Sequence, residues 1–164
     1  MPPPVIVRPA LPADLDEAAR ISVAAYAAAG QLEEASAYGR TLIDTPARHR
    51  EAVLLVAERD GRVVGTVTIC PNGSPFAEIG RPGELEFRFL AVDPPVWGTG
   101  VADALVAECD ARARAQGATH LAICVRDTNA GAAAMYARRG FTRMPERDWS
   151  PLPGVDLLAL SRPV

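Results

Sequence analysis

The stretch Glu84-Leu-Glu-Phe-Arg-Phe-Leu-Ala-Val-Asp-Pro-Pro-Val-Trp-Gly-Thr-Gly-Val-Ala-Asp-Ala-Leu105 decides the fold of this chain. Its first half, Leu85 to Val92, is rich in branched and aromatic residues and stops at two prolines, which is typical of a β-strand. Its second half, from Gly100 to about Gln116, predicts an amphipathic helix. The small residues of the intervening turn leave backbone N–H groups uncovered at the start of this helix. Unpaired N–H groups and the positive end of the helix dipole there suit a phosphate.

Three interpretations compete for this turn. An ordinary strand-turn-helix unit, with glycines that serve only the turn, fits the glycine spacing equally well. A dinucleotide fingerprint is disfavoured, because its third glycine falls on Asp103 and places a carboxylate near the pyrophosphate. A Walker P-loop is excluded, since no Gly-Lys-Ser/Thr follows and the chain contains no lysine.

Composition predicts an ordinary globular protein. The 164 residues are 49% hydrophobic and 23% charged, which is enough for one domain over residues 1–164 with a sizeable core. The net charge of −3 argues against a nucleic-acid partner. The start Met1-Pro-Pro-Pro4 does not resemble a signal peptide and no apolar run reaches membrane-spanning length. We therefore expect a cytoplasmic protein with no membrane partner.

The cysteines and histidines give no ligand pattern. Cys70, Cys109 and Cys124 are odd in number and form no C-x-x-C pair, which predicts reduced and mostly buried thiols. His49 and His120 lie far apart, so no metal site is expected.

The periodicity along the chain predicts an α/β (α+β) fold, with a mixed central sheet of about six to seven strands flanked by about four helices. The expected strands cover residues 5–8, 52–59, 62–70, 85–92, 119–125, 141–144 and 155–161. The expected helices cover residues 15–29, 33–42, 100–116 and 129–139.

Four local features are also predicted. Asp14 and Glu17 have the spacing of a capping box before the first helix. Thr45–Arg50 reads as a turn because Pro46 interrupts it. Asp60-Gly61 predicts a type I′ hairpin. Pro71–Gly83 is a long loop, either functional or a mobile surface excursion.

A second motif follows the phosphate turn. It reads Asn129-Ala-Gly-Ala132-Ala-Ala-Met-Tyr136-Ala-Arg-Arg-Gly140-Phe141, and the turn itself is Val92-Asp93-Pro94 followed by Trp97-Gly98-Thr99-Gly100-Val101-Ala102. In this order they resemble the GNAT superfamily of acetyl-CoA-dependent N-acetyltransferases. The family's Asn-x-x-Ala-x-x-x-Tyr-x-x-x-Gly-Phe is matched in full. In its Gln/Arg-x-x-Gly-x-Gly/Ala motif only Trp97 departs, in place of Gln or Arg. The resemblance implies a GNAT fold over about residues 5–161.

The resemblance also implies where acetyl-CoA, the expected cosubstrate, binds. Strand 85–92 should splay from the next strand at a bulge, and the pantetheine arm should lie in that gap. Backbone of Leu90 and Val92 and the side chain of Asn129 would hold the arm, while the Leu90 amide would polarise the thioester carbonyl. Amides from Gly98 to Ala102 would hold the pyrophosphate. The complete predicted cofactor-binding set is Leu90, Ala91, Val92, Trp97, Gly98, Thr99, Gly100, Val101, Ala102, Asn129, Ala132 and Tyr136.

Trp97 has two interpretations. Its single N–H donor supplies no charge and can point elsewhere, so cofactor binding should persist without the contact that Arg or Gln gives in the family. Alternatively, Trp97 covers apolar surface at the helix entrance.

The catalytic residues are predicted from the resemblance and from strand alternation. Tyr136 occupies the family's general-acid position, although its helical spacing with Ala132, Met135 and Arg139 also fits simple packing. Glu86 shares a strand face with Glu84 and Arg88 and is the predicted base, with Glu84 as the second choice. The alternative for Glu86 is a surface carboxylate paired with an arginine.

The expected function is transfer of an acetyl group from acetyl-CoA to a primary amine, by direct attack in a ternary complex. The acceptor is a small-molecule amine or a peptide N-terminus, with walls from residues 26–42, 71–83 and 145–154. The protein is expected to be a monomer or homodimer. The opposing hypothesis is a non-catalytic acyl-CoA-binding or scaffolding module with the same fold.

Overall fold

The computed structural model describes residues 2–31 and 37–164. Within these ranges the chain forms eight strands and five α-helices. The strands are β1 (Ile6–Pro9), β2 (Val53–Arg59), β3 (Arg62–Cys70), β4 (Glu84–Val92), β5 (His120–Arg126), β6 (Thr142–Arg143), β7 (Trp149–Leu152) and β8 (Val155–Pro163). The helices are α1 (Leu15–Ala28), α2 (Ala37–Ile43), α3 (Thr45–Glu51), α4 (Val101–Ala115) and α5 (Ala130–Arg138). The predicted helix at 33–42 corresponds to α2, and residues 33–36 lie outside the described ranges.

All strands join one mixed sheet in the order β1-β2-β3-β4-β5-β8-β6, with β7 paired to β8. Every pair is antiparallel except β4 with β5. The hairpin at Asp60-Gly61 is confirmed, since both residues have positive φ (52° and 75°) and Arg59 pairs with Arg62. The predicted fold class is thus confirmed. The sequence missed β7, because its segment contains Pro151 and lacks apolar alternation; it pairs only with β8, where a proline is tolerated.

The predicted turn at Thr45–Arg50 is wrong, because these residues form α3. Pro46 lies in the first turn of the helix, where a missing N–H removes no hydrogen bond. The Asp44 carboxylate caps this turn by accepting the Ala47 N–H at 3.1 Å.

The predicted capping box at Asp14 and Glu17 is also wrong. The Asp14 carboxylate pairs with Arg8 at 2.7 Å and accepts the Leu11 N–H at 2.7 Å, so it caps nothing in α1. Glu17 pairs with Arg20 at 2.6 Å. Salt bridges with Arg8 and Arg20 of this chain therefore form in place of the capping box.

The main core lies between α4, α5 and one face of the sheet. Leu105, Cys109 and Ala113 of α4 pack there against Leu55, Val67, Phe87 and Leu121 of four adjacent strands. On the opposite face, Ile21 and Ala25 of α1 pack against Ala91. No helix in the described ranges is long and apolar enough to cross a membrane.

Candidate active site

The central feature is a fork between β4 and β5. The two strands pair in parallel only at Glu84–Glu86 with His120–Ala122, although β4 runs on to Val92 and β5 to Arg126. On its other side β4 bulges: Thr66 pairs with Ala91 and Thr68 with Arg88, so Phe89 and Leu90 together oppose one residue of β3. Phe89 has φ of +57°. A bulge bends its strand, and beyond it β4 and β5 border a cleft of about 770 Å³.

The fork brings together most of the predicted cofactor residues. The cleft is lined by the predicted residues Leu90, Ala91, Val92, Trp97, Gly98, Gly100, Val101, Ala102, Asn129, Ala132 and Tyr136. Thr99 does not line it. Instead its hydroxyl donates to Val96 O at 2.6 Å and accepts from Arg59 at 2.8 Å, and Arg59 also donates to Thr99 O at 2.9 Å. Thr99 therefore fixes the shape of the turn.

The start of α4 closes one end of the cleft. Gly98 and Gly100 have φ of +76° and +94°, values that side-chain-bearing residues rarely adopt. The Ala104 N–H is the first to bond within the helix, to Gly100 O at 3.1 Å. The amides of Val101, Ala102 and Asp103 consequently have no acceptor in the helix. This arrangement fits the diphosphate of acetyl-CoA.

Three arginines that the sequence interpretation did not single out for binding, Arg126, Arg138 and Arg139, line the same cleft. Arg139 pairs with Asp103 at 2.5 Å, which balances the carboxylate that counted against a pyrophosphate site. The cleft wall therefore carries excess positive charge. Two of the arginines stand inside the second motif, at positions that the motif leaves unspecified.

Trp97 is held to the strand it follows. Its side chain is 48% exposed, lines the cleft and donates its indole N–H to Val92 O at 2.7 Å. The single donor is therefore used within the protein. The Val92 carbonyl, which the resemblance assigns to the pantetheine arm, already accepts this bond.

Tyr136 is both a core residue and a cleft residue. It is 3% exposed, and its ring centroid lies 5.4 Å from that of Phe141 and 6.1 Å from that of Phe87. It also lines the cleft. Tyr136 can therefore pack in the core and also reach the cleft. The contacts with Phe87 and Phe141 fix the orientation of its ring.

Asn129 begins α5. Its side-chain oxygen accepts the Ala132 N–H at 3.1 Å and caps the helix. Since the oxygen is used in this way, the amide NH2 group is the part of the side chain suited to a ligand.

The two predicted bases lie outside the cleft lining. Glu86 is 1% exposed, and its carboxylate accepts backbone N–H groups of Glu78, Ile79 and Gly80 at 2.9, 3.2 and 2.9 Å. A Cβ added at Gly80 would meet the Glu86 Cβ at 3.0 Å, so the glycine permits this close approach. Glu86 therefore anchors the loop that precedes β4. It is neither the surface carboxylate nor the arginine partner considered as the alternative.

Glu84 is engaged at the far side of the same loop. Arg147 donates to both of its oxygens, at 2.6 and 3.0 Å, and the Arg81 N–H donates at 2.9 Å. Burial alone would raise the pKa of Glu84, but these donors hold the pKa below its usual value.

Glu78 is a glutamate that does line the cleft, beside Arg88. The Glu78 Oε1 lies 2.9 Å from Arg88 Nε, and the two side chains are 12% and 13% exposed. Burial raises the pKa of Glu78 to about 7; Arg88 lowers it and the Glu86 charge raises it. Sequence analysis placed Glu78 only within the acceptor wall 71–83, since a loop has no periodicity that places its side chains.

Other acceptor walls are only partly as predicted. Ala25 and Tyr26 of α1 line the cleft, as do Ala29 and Gln31 after it; the Gln31 Oε1 accepts from the Thr128 hydroxyl at 3.2 Å. No residue of 145–154 does, and residues 32–36 lie outside the described ranges.

All three thiols have raised pKa values, and one of them borders the site. Cys124 lines the cleft, and burial raises its pKa to about 12. Cys70 and Cys109 are buried elsewhere, with pKa values raised to about 12 by the same cause. Across residues 2–31 and 37–164, no three His, Cys, Asp or Glu side chains are grouped to hold a metal ion.

The chain is similar to several proteins that are named as acetyltransferases. Mycothiol acetyltransferase of Cellulomonas flavigena is 35% identical over 156 residues, covering 87% of this chain but 42% of that protein, so the chain spans about two fifths of this relative. The structure of a ribosomal-protein-alanine N-acetyltransferase from Brucella melitensis is 26% identical, with a TM-score of 0.68 over 97% of this chain and 99% of that one. PaiA N-acetyltransferase from Thermoplasma acidophilum, solved with coenzyme A, is 17% identical with a TM-score of 0.72 over 98% and 99%, a likeness of fold alone. Residues 17–141 match the model of the acetyltransferase (GNAT) family, and the chain belongs to that family of acyltransferases.

Proposed function

We propose that this protein transfers an acetyl group from acetyl-CoA to a primary amine by direct attack in a ternary complex. The observation that carries the proposal is the forked pair β4 and β5, whose cleft ends at the unpaired amides of α4. The fork offers strand backbone to an extended chain, and the helix start offers N–H groups to an anion. Acetyl-CoA combines both, and supplies the activated thioester.

The residues fit this cosubstrate in order along the cleft. Amides at Gly98–Asp103, with Arg138 and Arg139 beside them, would hold the diphosphate. The Asn129 NH2 group and the β4 backbone would hold the arm. The Leu90 amide, placed at the bulge, would donate to the thioester carbonyl as negative charge develops on its oxygen.

Glu78 is the base in this proposal, rather than Glu86 or Glu84. It borders the cleft, where its carboxylate is ion-paired with Arg88 at 2.9 Å, whereas Glu86 and Glu84 do not line the cleft and their carboxylates accept backbone N–H groups of the loop. A base works best when its pKa lies near the operating pH, and burial places the pKa of Glu78 at about 7. The amine nitrogen would give its proton to the Glu78 carboxylate. Glu86 then serves as a positioning residue for the Glu78 loop.

Tyr136 remains the proposed acid, as the family motif implies. The C–N bond forms and the C–S bond breaks, and the Tyr136 hydroxyl gives its proton to the departing sulfur. The close packing of its ring against Phe141 keeps the donor in one place.

Direct attack is preferred to transfer through a cysteine. Cys124 is the thiol in the cleft, and with a pKa raised to about 12 it is protonated at neutral pH and weakly nucleophilic.

Initial rates of thiol release, with acetyl-CoA and a panel of primary amines both varied, test this function. Intersecting double-reciprocal lines are expected for a ternary complex, whereas parallel lines would indicate a covalent enzyme intermediate. Tight coenzyme A binding without acetylation of any amine would support the non-catalytic module instead.

A further inference from the structure

We propose that the acceptor carries a carboxylate next to its reactive amine, as a free amino acid does, and that Arg88 binds this carboxylate. The inference rests on the proposed function and narrows its acceptor class. It starts from the ion pair of Arg88 with Glu78, which faces the cleft from one edge.

Arg88 is held so that one nitrogen remains for a ligand. Its Nε faces Glu78 at 2.9 Å and its Nη1 donates to Phe76 O at 2.8 Å. Its Nη2 donates no hydrogen bond to residues 2–31 or 37–164. The guanidinium also lies 4.4 Å from the centre of the Phe89 ring, so stacking fixes its plane. A fixed guanidinium binds a planar carboxylate better than a mobile cation does.

The bulge itself supports this orientation. Phe89 is 3% exposed, and the guanidinium of Arg48 lies 4.4 Å from its ring centre as well. Arg48 is fully buried and donates to Thr41 O and Leu42 O at 2.7 and 2.8 Å, near the end of α2. Arg88 is therefore one member of a packed and hydrogen-bonded group.

Charge balance supplies the main reason for an acceptor carboxylate. Glu78 contacts Arg88 at 2.9 Å, the Glu86 carboxylate accepts the Glu78 N–H at 2.9 Å, and Arg48 lies 4.4 Å from the same Phe89 ring as Arg88. Two carboxylates and two guanidinium groups therefore share this region. When Glu78 takes the amine proton, one positive charge is left uncompensated. An unpaired buried charge is costly. A substrate carboxylate on Arg88 restores neutrality at the step that needs it.

The spacing favours an amine and a carboxylate that are close neighbours. Glu78 and Arg88 are in direct contact, so an amine facing one and a carboxylate facing the other must lie close together in the acceptor. A peptide N-terminus presents a neutral amide at the same position, which cannot balance Arg88.

The experiment compares each of a set of L-amino acids with its own α-amide, at several pH values and with the amine pKa measured. The amide has the more readily deprotonated amine, so amine availability alone favours the amide. We expect kcat/KM for the best acid to exceed that for its amide by at least tenfold. Because the ratio is taken within one enzyme preparation, it does not depend on the fraction folded.

Arg88→Gln should reduce this acid-to-amide ratio by about tenfold or more, and Arg88→Lys should retain part of it. Arg114→Gln is the matched control: Arg114 lies in α4, its side chain is 67% exposed and it does not line the cleft, so the ratio should not change. Equal or faster turnover of the amides by the unaltered protein overturns the carboxylate inference and leaves the acetyltransferase proposal standing. Absence of turnover with every acid and amide, while other primary amines are acetylated, overturns the carboxylate inference alone. Absence of turnover with every primary amine, despite coenzyme A binding, overturns both.

Discussion

Glu78 is the residue whose ionisation should shape the acidic side of the rate profile. Its carboxyl must be ionised to accept a proton, and burial raises its pKa to about 7 while Arg88 opposes and Glu86 reinforces the shift. We therefore expect kcat/KM to fall as the pH drops below about 7. Glu78→Gln should lower kcat by ~10² or more and abolish this limb, after correction for the amine's own pKa.

Glu86→Gln is the control for that measurement. It keeps an acceptor oxygen for the backbone amides of the loop, but loses the charge that strengthens those bonds. We expect a lower Tm, and a kcat/KM profile whose acidic limb persists but moves to lower pH, because the Glu86 charge raises the pKa of Glu78. If Glu86→Gln flattens the limb while Glu78→Gln leaves it intact, Glu86 is the base, as the strand pattern first suggested.

Tyr136→Phe separates packing from proton transfer. The phenylalanine ring preserves the contacts with Phe87 and Phe141 but lacks the hydroxyl. We expect a fall in kcat of roughly tenfold or more, at or below the ~10²–10⁴ range for acid-base groups, with coenzyme A affinity nearly unchanged by calorimetry. An unaltered kcat, with chemistry shown to limit the rate, would assign Tyr136 to packing alone.

At the scale of elements, the position of α4 relative to the sheet depends on Gly65 in β3. A Cβ there would meet Val101 Cγ1 at 2.8 Å, Leu105 Cδ1 at 3.1 Å and Ala91 O at 3.2 Å. Gly65→Ala should destabilise the fold by ~1–3 kcal/mol, the usual effect of overpacking. Because Val101 is the first residue of α4, we also expect weaker coenzyme A binding.

Gly131→Ala provides the comparison for Gly65→Ala. In α5 an added Cβ meets only Asn129 Oδ1, at 3.8 Å, and alanine favours a helix by up to ~1 kcal/mol. The Tm of this variant should stay level or rise. If Gly65→Ala matches the unaltered protein in both Tm and coenzyme A affinity, β3 does not set the position of α4.

Element boundaries show where local sequence was sufficient. The Asp60-Gly61 hairpin was predicted because it depends on two adjacent residues with positive φ. Pro46 misled because a proline is tolerated in the first turn of a helix, where it lies in α3. Asp14 misled because it forms a salt bridge with Arg8, a residue outside the capping-box pattern. Short-range patterns fail where such an interaction comes from outside the pattern.

For the whole molecule, two continuous motifs were enough to predict the fold and to name most of the residues expected to bind the cofactor that line the cleft. The base and acceptor groups were not accessible in this way. Glu78 and Arg88 stand ten residues apart, on a loop and a bulged strand, and only the folded sheet places them in contact. Strand alternation placed Glu86 on the same face of β4 as Arg88. It carried no information about the loop 78–80, whose backbone N–H groups bind the Glu86 carboxylate.

Coenzyme A should stabilise the whole folded chain, because a ligand that binds only the folded state shifts the unfolding equilibrium. Coenzyme A at 100 times its Kd should stabilise the fold by about 2.7 kcal/mol, which for a protein of this size raises Tm by roughly 5–11 °C. Dephospho-coenzyme A should give a smaller shift, because it lacks a phosphate for the cleft arginines. Pantetheine, which has no diphosphate for the α4 amides, should give the smallest. All shifts in Tm that depend on phosphates should shrink as salt rises.

A pantetheine shift equal to that of coenzyme A at matched concentration would mean that α4 holds no diphosphate. No shift with millimolar coenzyme A would remove the proposed function while leaving the fold and the family assignment in place.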